Sequence, residues 1–298
     1  MMLALFFAVA TEKLLIIHAD DVGMSHSVNA ASIKALESGA ATSASIMVPC
    51  PWFPEIAAWA RLNPDADLGL HLTLTSEWLH YRWGPVLSKD VVPSLIDREG
   101  FFYRTEKEAV EHIKPDEAKN EIRAQIERAR AFGIHPTHLD THMRTLHQNP
   151  VLFGVLMDVA HESGIPAAIP RWIANQPEFA KSIRPDDIIV DEMPTIQPDS
   201  PKTYYEDLIR NLKPGLTELI VHLGYDNAEL QAITIHQTAW GAAWRQRDFD
   251  AVTSAWFRKL LRDNHVKLVT WRYVTSHRRK AATASSPSRS APRVHSRH

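Results

Sequence analysis

The apolar positions of this chain form short continuous runs that alternate with longer amphipathic stretches. The runs are rich in Val, Ile and Leu, which is typical of strands in a parallel sheet that is covered on both faces. We predict eight strands, at residues 14–19, 43–48, 68–74, 137–142, 166–171, 188–193, 219–223 and 266–271.

The amphipathic stretches between the runs carry the end signals of helices, a capping residue or proline at the start and a glycine at the end. The clearest ones lie at residues 25–39, 115–133, 150–164 and 248–264. Strand–helix repetition predicts a single α/β domain with a mostly parallel sheet. Eight strands favour a distorted (β/α) barrel over an open sheet.

Two connections are longer than usual and rich in aromatic residues, one after the third strand (76–114) and one after the seventh (225–247). Loops of this length in a compact domain are usually functional or disordered, and so many rings argue against disorder. The rings either cover apolar surface of the barrel or form a rim that binds substrate. For the second role we predict Trp78, Tyr81, Trp83 and Tyr225; the second loop also carries Trp240 and Trp244.

The composition excludes several classes of partner and site. The 298 residues are enough to bury a sizeable core, and the net charge of −2 argues against a nucleic-acid partner. No apolar stretch is long enough for a membrane helix. The single cysteine, Cys50, excludes an intramolecular disulfide and a Cys-based zinc site, and we interpret it as a small buried apolar residue.

The two ends of the chain differ in composition from the domain at residues 13–275. Residues 1–12 hold an apolar run that is either a truncated export signal or a lead-in to the first strand. A cytoplasmic location is the default, with export as the alternative. Residues 276–298 are rich in Ser, Ala, Pro and Arg, so we predict a disordered basic tail there.

Polar residues recur at the carboxyl ends of the predicted strands, where the active sites of parallel α/β folds assemble. They are Asp20 and Asp21 in the first strand, His71 in the third, His138, Asp140 and His142 on one side of the fourth, Arg171 in the fifth and His222 in the seventh. Charged groups at such places are costly to bury without a metal ion or a partner.

These residue types fit a divalent metal. Two neutral imidazoles and one carboxylate leave coordination positions open, which marks a catalytic site and not a structural one. A spare carboxylate can then act as general base and a second histidine as general acid, while Asp140 can orient a histidine. Each residue alone also has an ordinary explanation, such as a solvated Asp-Asp turn or a hydrogen-bonded core histidine, but together they are harder to explain in that way.

Four motifs carry a resemblance to a known family: HADDVG, LGLHLTLT, PTHLDTH and IVHLGY. The chain resembles the YdjC-like carbohydrate deacetylases, the chitooligosaccharide deacetylase group, from about Leu14 to about Tyr273. The resemblance implies a (β/α) barrel-like fold and the removal of N-acetyl groups from amino sugars with one divalent ion, Mg²⁺ or Zn²⁺.

The resemblance also implies a role for each matching residue. It assigns the metal to Asp21, His71 and His142, makes Asp20 the base and makes His222 the acid or the oxyanion partner. His138, Asp140 and Arg171 are expected to support these groups or to contact the substrate.

Arg144 departs from the family pattern, because many members continue the fourth motif as HxDxHxH and carry a histidine there. This leaves the identity of the small carbohydrate substrate open, and a homodimer is compatible with the sequence. The alternatives are a metal-dependent hydrolase of another amide or a phosphoester, and a catalytically weak sugar-binding protein. Asp20 and His222 argue against the last alternative, because binding alone needs neither a base nor an acid.

Overall fold

The computed structural model describes residues 12–193 and 201–285, and its centre is a sheet of parallel strands. The strands are β1 (Lys13–Val22), β2 (Ser43–Ile46), β3 (Leu68–Leu72), β4 (Leu139–Thr141), β5 (Ile169–Pro170), β6 (Ile189–Met193), β7 (Gly215–Val221) and β8 (Val266–Leu268). Seven of them follow the order β4-β3-β2-β1-β7-β6-β5, and β8 pairs with the start of β1. Each predicted run overlaps one of these strands.

The sheet curls so that its two ends meet. One bridge joins Leu139 of β4 to Ala167, just before β5, and Ala168 N donates a 2.8 Å hydrogen bond to Leu139 O. On the other side β1 diverges from β2, because its first residues pair with β8 and its pairing with β2 starts only at His18. The fold is therefore the distorted, barrel-like α/β domain that the sequence predicts.

Helices connect the strands and cover the sheet. They are α1 (His26–Glu37), α2 (Phe53–Leu62), α3 (Glu106–His112), α4 (Pro115–Ala131), α5 (Pro150–Ser163), α6 (Arg171–Ala174), α7 (Pro177–Ala180), α8 (Pro201–Arg210), α9 (Ala228–Ile233), α10 (Ala242–Thr253), α11 (Ala255–Asp263) and α12 (Trp271–Ser285), with 3₁₀ turns at Pro93–Leu95 and His142–His147. The end signals act as predicted: Ser25 accepts a hydrogen bond from Val28 N, and Gly164 ends α5 with a φ of 68°. Among the described residues, none of the helices is long and apolar enough to cross a membrane.

The predicted helix at 248–264 is two helices in the structure. Ser254 separates α10 from α11 with extended backbone angles (φ −68°, ψ 152°), and its hydroxyl caps α11 by accepting from Phe257 N at 3.2 Å. Serine competes for backbone hydrogen bonds in this way, so it favours the start of a helix over its interior.

The C-terminal segment also differs from the expectation of a strand to 271 and disorder from 276. Trp271 is fully buried and begins α12, which continues through Ser285. Tyr273 and Val274 pack against the cluster around Trp271, and Arg278 donates to Pro185 O at 2.9 Å. These contacts favour a helix over a solvated tail at its start, while residues 1–11 and 286–298 lie outside the described residues.

The long connection after β3 is folded and packed. Glu121 of α4 accepts hydrogen bonds from Val86 N and Leu87 N at 2.9 and 3.0 Å, and Arg82 donates to Phe102 O at 2.6 Å. Phe102 is fully buried. The aromatic content of this loop is therefore largely explained by packing, and only part of the loop reaches the site described next.

Candidate metal centre and active site

β1 ends in a tight turn that holds two adjacent carboxylates at the carboxyl end of the barrel. Asp21 has a φ of 64°, a left-handed conformation that costs an L-residue roughly 1–2 kcal/mol. Gly23 follows with a φ of 97°, and a Cβ there would lie 3.1 Å from Met47 O. Asp20 and Asp21 are only 6% and 2% exposed.

Asp21, His71 and His142 come together around one point, and we call these three residues the ligand cluster. Asp21 Oδ1 lies 3.4 Å from His71 Nε2 and 3.2 Å from His142 Nδ1, and all three side chains are buried. The carboxyl ends of β1, β3 and β4 bring them together, because these strands are parallel and close in the sheet. The cluster has the residue types and spacing that could hold a metal ion.

Asp21 is held on its other side by a buried arginine. Asp21 Oδ2 accepts a 2.7 Å hydrogen bond from Arg245, whose side chain is 1% exposed. Although burial alone would raise the pKa of Asp21, Arg245 and the two histidines hold it well below its ordinary value. The carboxylate is therefore ionised.

Each histidine of the ligand cluster is oriented by a carboxylate on the far side of its ring. His71 Nδ1 donates to Asp140 at 2.7 Å, and His142 Nε2 donates to Glu77 at 3.0 Å. These contacts leave His71 Nε2 and His142 Nδ1 directed at Asp21. Carboxylates behind ligating histidines fix the tautomer and make the imidazole a better donor to a metal.

The surroundings of Asp21 fit a bound cation. Asp21 Oδ1 is buried and accepts no hydrogen bond from the described residues, although two imidazole nitrogens approach it. Glu77 and Asp21 raise the pKa of His142 to about 9, against the effect of burial, so the surrounding carboxylates favour positive charge at this point. A divalent cation would supply that charge in place of protons, as is usual for metal sites.

Asp20 and His222 lie beside the ligand cluster. Asp20 Oδ2 is 3.8 Å from His71 Nε2 and 4.0 Å from His222 Nε2. Burial lowers the pKa of His222 to about 4, and its Nδ1 has no hydrogen-bond partner among the described residues. His222 is therefore a neutral imidazole near neutral pH.

His18 lies between Asp20, the predicted base, and Asp140, which accepts a hydrogen bond from His71. Its Nε2 lies 3.1 Å from Asp20 Oδ1 and 2.9 Å from Asp140 Oδ2, and its Nδ1 lies 3.7 Å from Glu218. Burial alone would lower the pKa of His18, but the three carboxylates raise it well above its ordinary value. A charged imidazolium thus separates carboxylates that would otherwise repel one another.

His138 is not part of the ligand cluster. Its ring stacks on Trp271 at 4.8 Å, and Thr137 Oγ1 lies 2.9 Å from its Nδ1. Burial lowers the pKa of His138 well below its ordinary value, and a Cβ on Gly69 would overlap the ring at 2.4 Å. It fills the barrel below the site, where its ring is 5.0 Å from that of His18 and one of its nitrogens lies within 4.8 Å of the Asp140 carboxylate.

The site opens into a cavity of about 380 Å³. Besides the groups described above, its lining includes Trp78, Glu106, Met143, Arg144, His147, Glu192, Gln237, Ala239 and Trp240. Of the predicted rim, Trp78 lines the cavity, whereas Tyr81, Trp83 and Tyr225 lie outside the lining and pack in or against the hydrophobic core. Trp83 is 3% exposed and its ring lies 6.2 Å from His142.

Arg144 lies in the cavity lining, whereas Arg171 lies outside it. Arg171 begins α6 and pairs with Asp191 at 2.5 Å, about half exposed and outside the cavity lining. Arg144 has a φ of 53° and donates to Glu192 at 2.6 Å, at the cavity wall. Its charge is therefore balanced by Glu192.

Four charged residues that hold the ligand cluster and its neighbours in place, His18, Glu77, Glu218 and Arg245, are absent from the sequence prediction. His18 and Glu218 had a detectable signal, because strand alternation puts them on the same faces as Asp20 and His222. Glu77 in a loop and Arg245 in a helix had none. The pair Asp21–Arg245 is separated by 224 residues, so only the folded chain brings it together.

Comparison with known proteins gives consistent results. The family profile of YdjC-like proteins matches residues 14–263. A carbohydrate deacetylase of Brevibacillus brevis is 29% identical over 269 residues, covering 86% of this chain and 98% of its own. One of Thermus thermophilus is 30% identical over 275 residues, covering 88% of this chain and 94% of its own.

Two further relatives extend the comparison. A chitooligosaccharide deacetylase of Yersinia enterocolitica is 32% identical over 169 residues, 55% of this chain and 62% of its own. The crystal structure of a protein from Enterococcus faecalis, provisionally named a cellobiose-phosphate cleavage protein, superposes with a TM-score of 0.76. It is 25% identical and covers 89% of this chain and 99% of its own.

Proposed function

Since the chain belongs to the YdjC-like protein family, we propose that it is a metal-dependent carbohydrate deacetylase that hydrolyses N-acetyl groups of amino sugars. Relatives that carry the name carbohydrate deacetylase span most of the chain. The observation that carries the proposal is the ligand cluster, where Asp21 Oδ1 is buried between two oriented imidazoles and accepts no hydrogen bond from the described part of the chain.

Asp21, His71 and His142 would hold one divalent ion. When bound there, such an ion would polarise the acetyl carbonyl and would make a water molecule easier to deprotonate. Arg245 keeps Asp21 in place, while Asp140 and Glu77 fix the two rings. The cluster is therefore organised before the substrate arrives, which reduces the reorganisation that the reaction requires.

Asp20 is the general base in this proposal. It borders the cavity next to the ligand cluster, so its carboxylate can take a proton from a water that attacks the acetyl carbon. The water oxygen bonds to that carbon, and the bond from carbon to nitrogen then breaks. The proton held by Asp20 passes to the departing amine, which leaves an amino sugar and acetate.

His222 fits the oxyanion partner better than the acid. A group with a pKa of about 4 carries no extra proton to give near neutral pH, and a nearby cation would lower that pKa further. A neutral imidazole still donates one hydrogen bond. Its Nε2 is the ring nitrogen that faces Asp20 and the reaction centre, so it can stabilise charge on the acetyl oxygen.

Acetate release from a panel of N-acetylated amino sugars tests the proposal. We expect release by protein loaded with Zn²⁺ or Mg²⁺, loss of release after chelation, and recovery when the metal is returned. Phosphorylated sugars and acetylated peptides belong in the panel as alternative substrates. Full activity of chelated, metal-free protein would contradict the metal dependence, and no acetate from any sugar would contradict the function.

A further inference from the structure

Trp240 is an exposed aromatic side chain at the mouth of the cavity. The residue is 46% exposed and lines the cavity, and its ring lies 6.3 Å from the ring of His222. Its inner face stacks on Trp244 at 5.4 Å with an angle of 28° between the rings. One face is therefore supported by the protein, while much of the ring remains exposed beside the predicted reaction centre.

The backbone that carries this ring is held in an unfavourable conformation. Trp240 has a φ of 54°, which is unusual for a bulky side chain. We call residues 234–241 the mouth loop. Within it a Cβ on Gly241 would lie 2.4 Å from Gln237 O, and Thr234 Oγ1 accepts from Ala242 N at 3.1 Å. Strained residues cluster at binding and catalytic sites, and here the strain places a ring over the cavity.

Arg245 connects the mouth loop to the ligand cluster. Its Nε donates to Trp240 O at 2.7 Å, and its terminal nitrogen donates to Asp21 Oδ2 at 2.7 Å. A buried planar guanidinium has little freedom to move between two such acceptors. The position of the Trp240 backbone is thereby fixed relative to the proposed metal ligand.

Three other tryptophans near the site are buried. Trp78, Trp83 and Trp244 are at most 4% exposed, and their indole N–H groups donate to Met24 Sδ, Thr75 O and Asp248 respectively. These rings belong to the packed interior. Trp240 combines exposure, a position in the cavity lining and a strained backbone.

We propose that Trp240 is the platform on which the sugar ring that carries the acetamido group stacks. This inference rests on the proposed function and adds the group that recognises the substrate. A pyranose with equatorial substituents presents C–H bonds on its faces, and such a face packs on an indole ring. The contact holds the sugar with its acetyl group toward His222 and the ligand cluster. It predicts a preference for pyranose substrates over acyclic N-acetyl compounds.

Three variants test the proposal by KM and kcat for acetate release from N,N′-diacetylchitobiose. Trp240→Gly removes the ring and relieves the left-handed strain, so its melting temperature should not fall. We expect it to raise KM by about three- to tenfold with kcat within about twofold of wild type. Trp240→Phe keeps an aromatic face and should recover most of the loss. Trp52→Ala is the matched control, because Trp52 is 38% exposed and lies outside the cavity lining.

Direct binding separates this proposal from the proposed function. The affinity of metal-loaded wild type and Trp240→Gly for N,N′-diacetylchitobiose is measured by calorimetry, whether or not acetate is released. Weaker binding by the Gly variant supports the platform even if the chemistry differs. Equal affinity, unchanged KM or no binding by wild-type protein would overturn the platform. An absence of acetate with this binding difference intact would overturn only the deacetylase.

Discussion

The ligand cluster and the mouth loop are held in place by different kinds of contact. Buried charges fix the side chains of the cluster: Arg245 for Asp21, Asp140 for His71 and Glu77 for His142. In the mouth loop the contacts are to the backbone, and the ring of Trp240 stays exposed.

This difference separates two parts of the proposed reaction. Charged partners fix the direction of each donor atom in the cluster, which metal binding and catalysis require. A flat ring needs no such precision to bind an apolar sugar face. Changes in the cluster should therefore lower metal content and turnover, and changes in the mouth loop should alter KM.

Removal of a cluster residue should have the largest effect. We expect His71→Ala to empty the site of metal and reduce acetate release to background, because only two of the three protein ligands remain and they are too few to hold the ion. Asp21→Asn should weaken metal binding, with partial recovery of activity in excess metal. Metal content by mass spectrometry and acetate release check both. If His71→Ala retained a full complement of metal, the ligand assignment would be wrong.

Asp20→Asn should separate turnover from metal binding. Loss of a general base typically lowers the rate by about 10²–10⁴, so kcat should fall by that factor. Metal content and substrate affinity should remain, because Asp20 is not one of the three proposed ligands and its Oδ1 lies 3.1 Å from His18 Nε2. If the Asp20→Asn variant lost its metal and regained activity in excess metal, Asp20 would be the metal ligand and Asp21 the base.

Glu77→Gln should have an intermediate effect through His142. Loss of a carboxylate behind a metal-bound histidine typically costs about 10–100-fold in metal affinity or activity. Glu106→Gln is the matched control, since Glu106 also lines the cavity and no hydrogen bond joins it to the cluster histidines. Competition with a chelator measures the affinity of each variant. Equal affinities of the two variants would show that orientation by Glu77 is unimportant.

Asp248 supports the backbone below the mouth loop and should make stability depend on pH. It accepts hydrogen bonds from Tyr205, His222 N and Trp244, and burial raises its pKa to about 6. Because this folded-state pKa exceeds the unfolded value of about 3.9, the stability it contributes is complete below about pH 4 and lost as pH rises through 6.

Asp248→Asn checks that dependence. Relative to the Asn variant, wild type should lose about 2–3 kcal/mol of unfolding free energy between pH 4 and pH 7. Urea unfolding across this range measures the difference, with Asp250→Asn as a control on an exposed turn of the same helix. Parallel stability curves for wild type and Asp248→Asn would contradict the raised pKa.

Trp83→Phe should have the smallest effect and should change stability alone. The indole of Trp83 donates to Thr75 O at 2.8 Å, so its loss should cost about 1 kcal/mol. KM should not change, in contrast to Trp240→Gly, because Trp83 lies outside the cavity lining. A raised KM for Trp83→Phe would instead support the prediction from the sequence that Trp83 belongs to a wider aromatic rim that binds substrate.

The strands, most of the helices and the candidate cluster were predictable from sequence. Periodicity and end signals are local, so they identify β1 to β8 and helices such as α4 and α5. Parallel strands must bring their carboxyl ends to one side of the sheet, which places the polar residues of these ends together. The resemblance to the family selects Asp21, His71 and His142 among them. His18 and Glu218 follow from the same alternation, although the prediction did not include them.

The partners of these residues and the exposure of the aromatic rings depend on the tertiary structure. Asp21 and Arg245 lie 224 residues apart, and Glu77 meets His142 through a loop whose path no local pattern specifies. Trp83 and Trp240 are both tryptophans of long loops, so composition does not distinguish them. Packing buries Trp83 against the barrel, whereas a left-handed backbone turn leaves Trp240 exposed. Local sequence sets the periods of strands and helices, but long-range packing and hydrogen bonding decide which loop side chains reach the cavity.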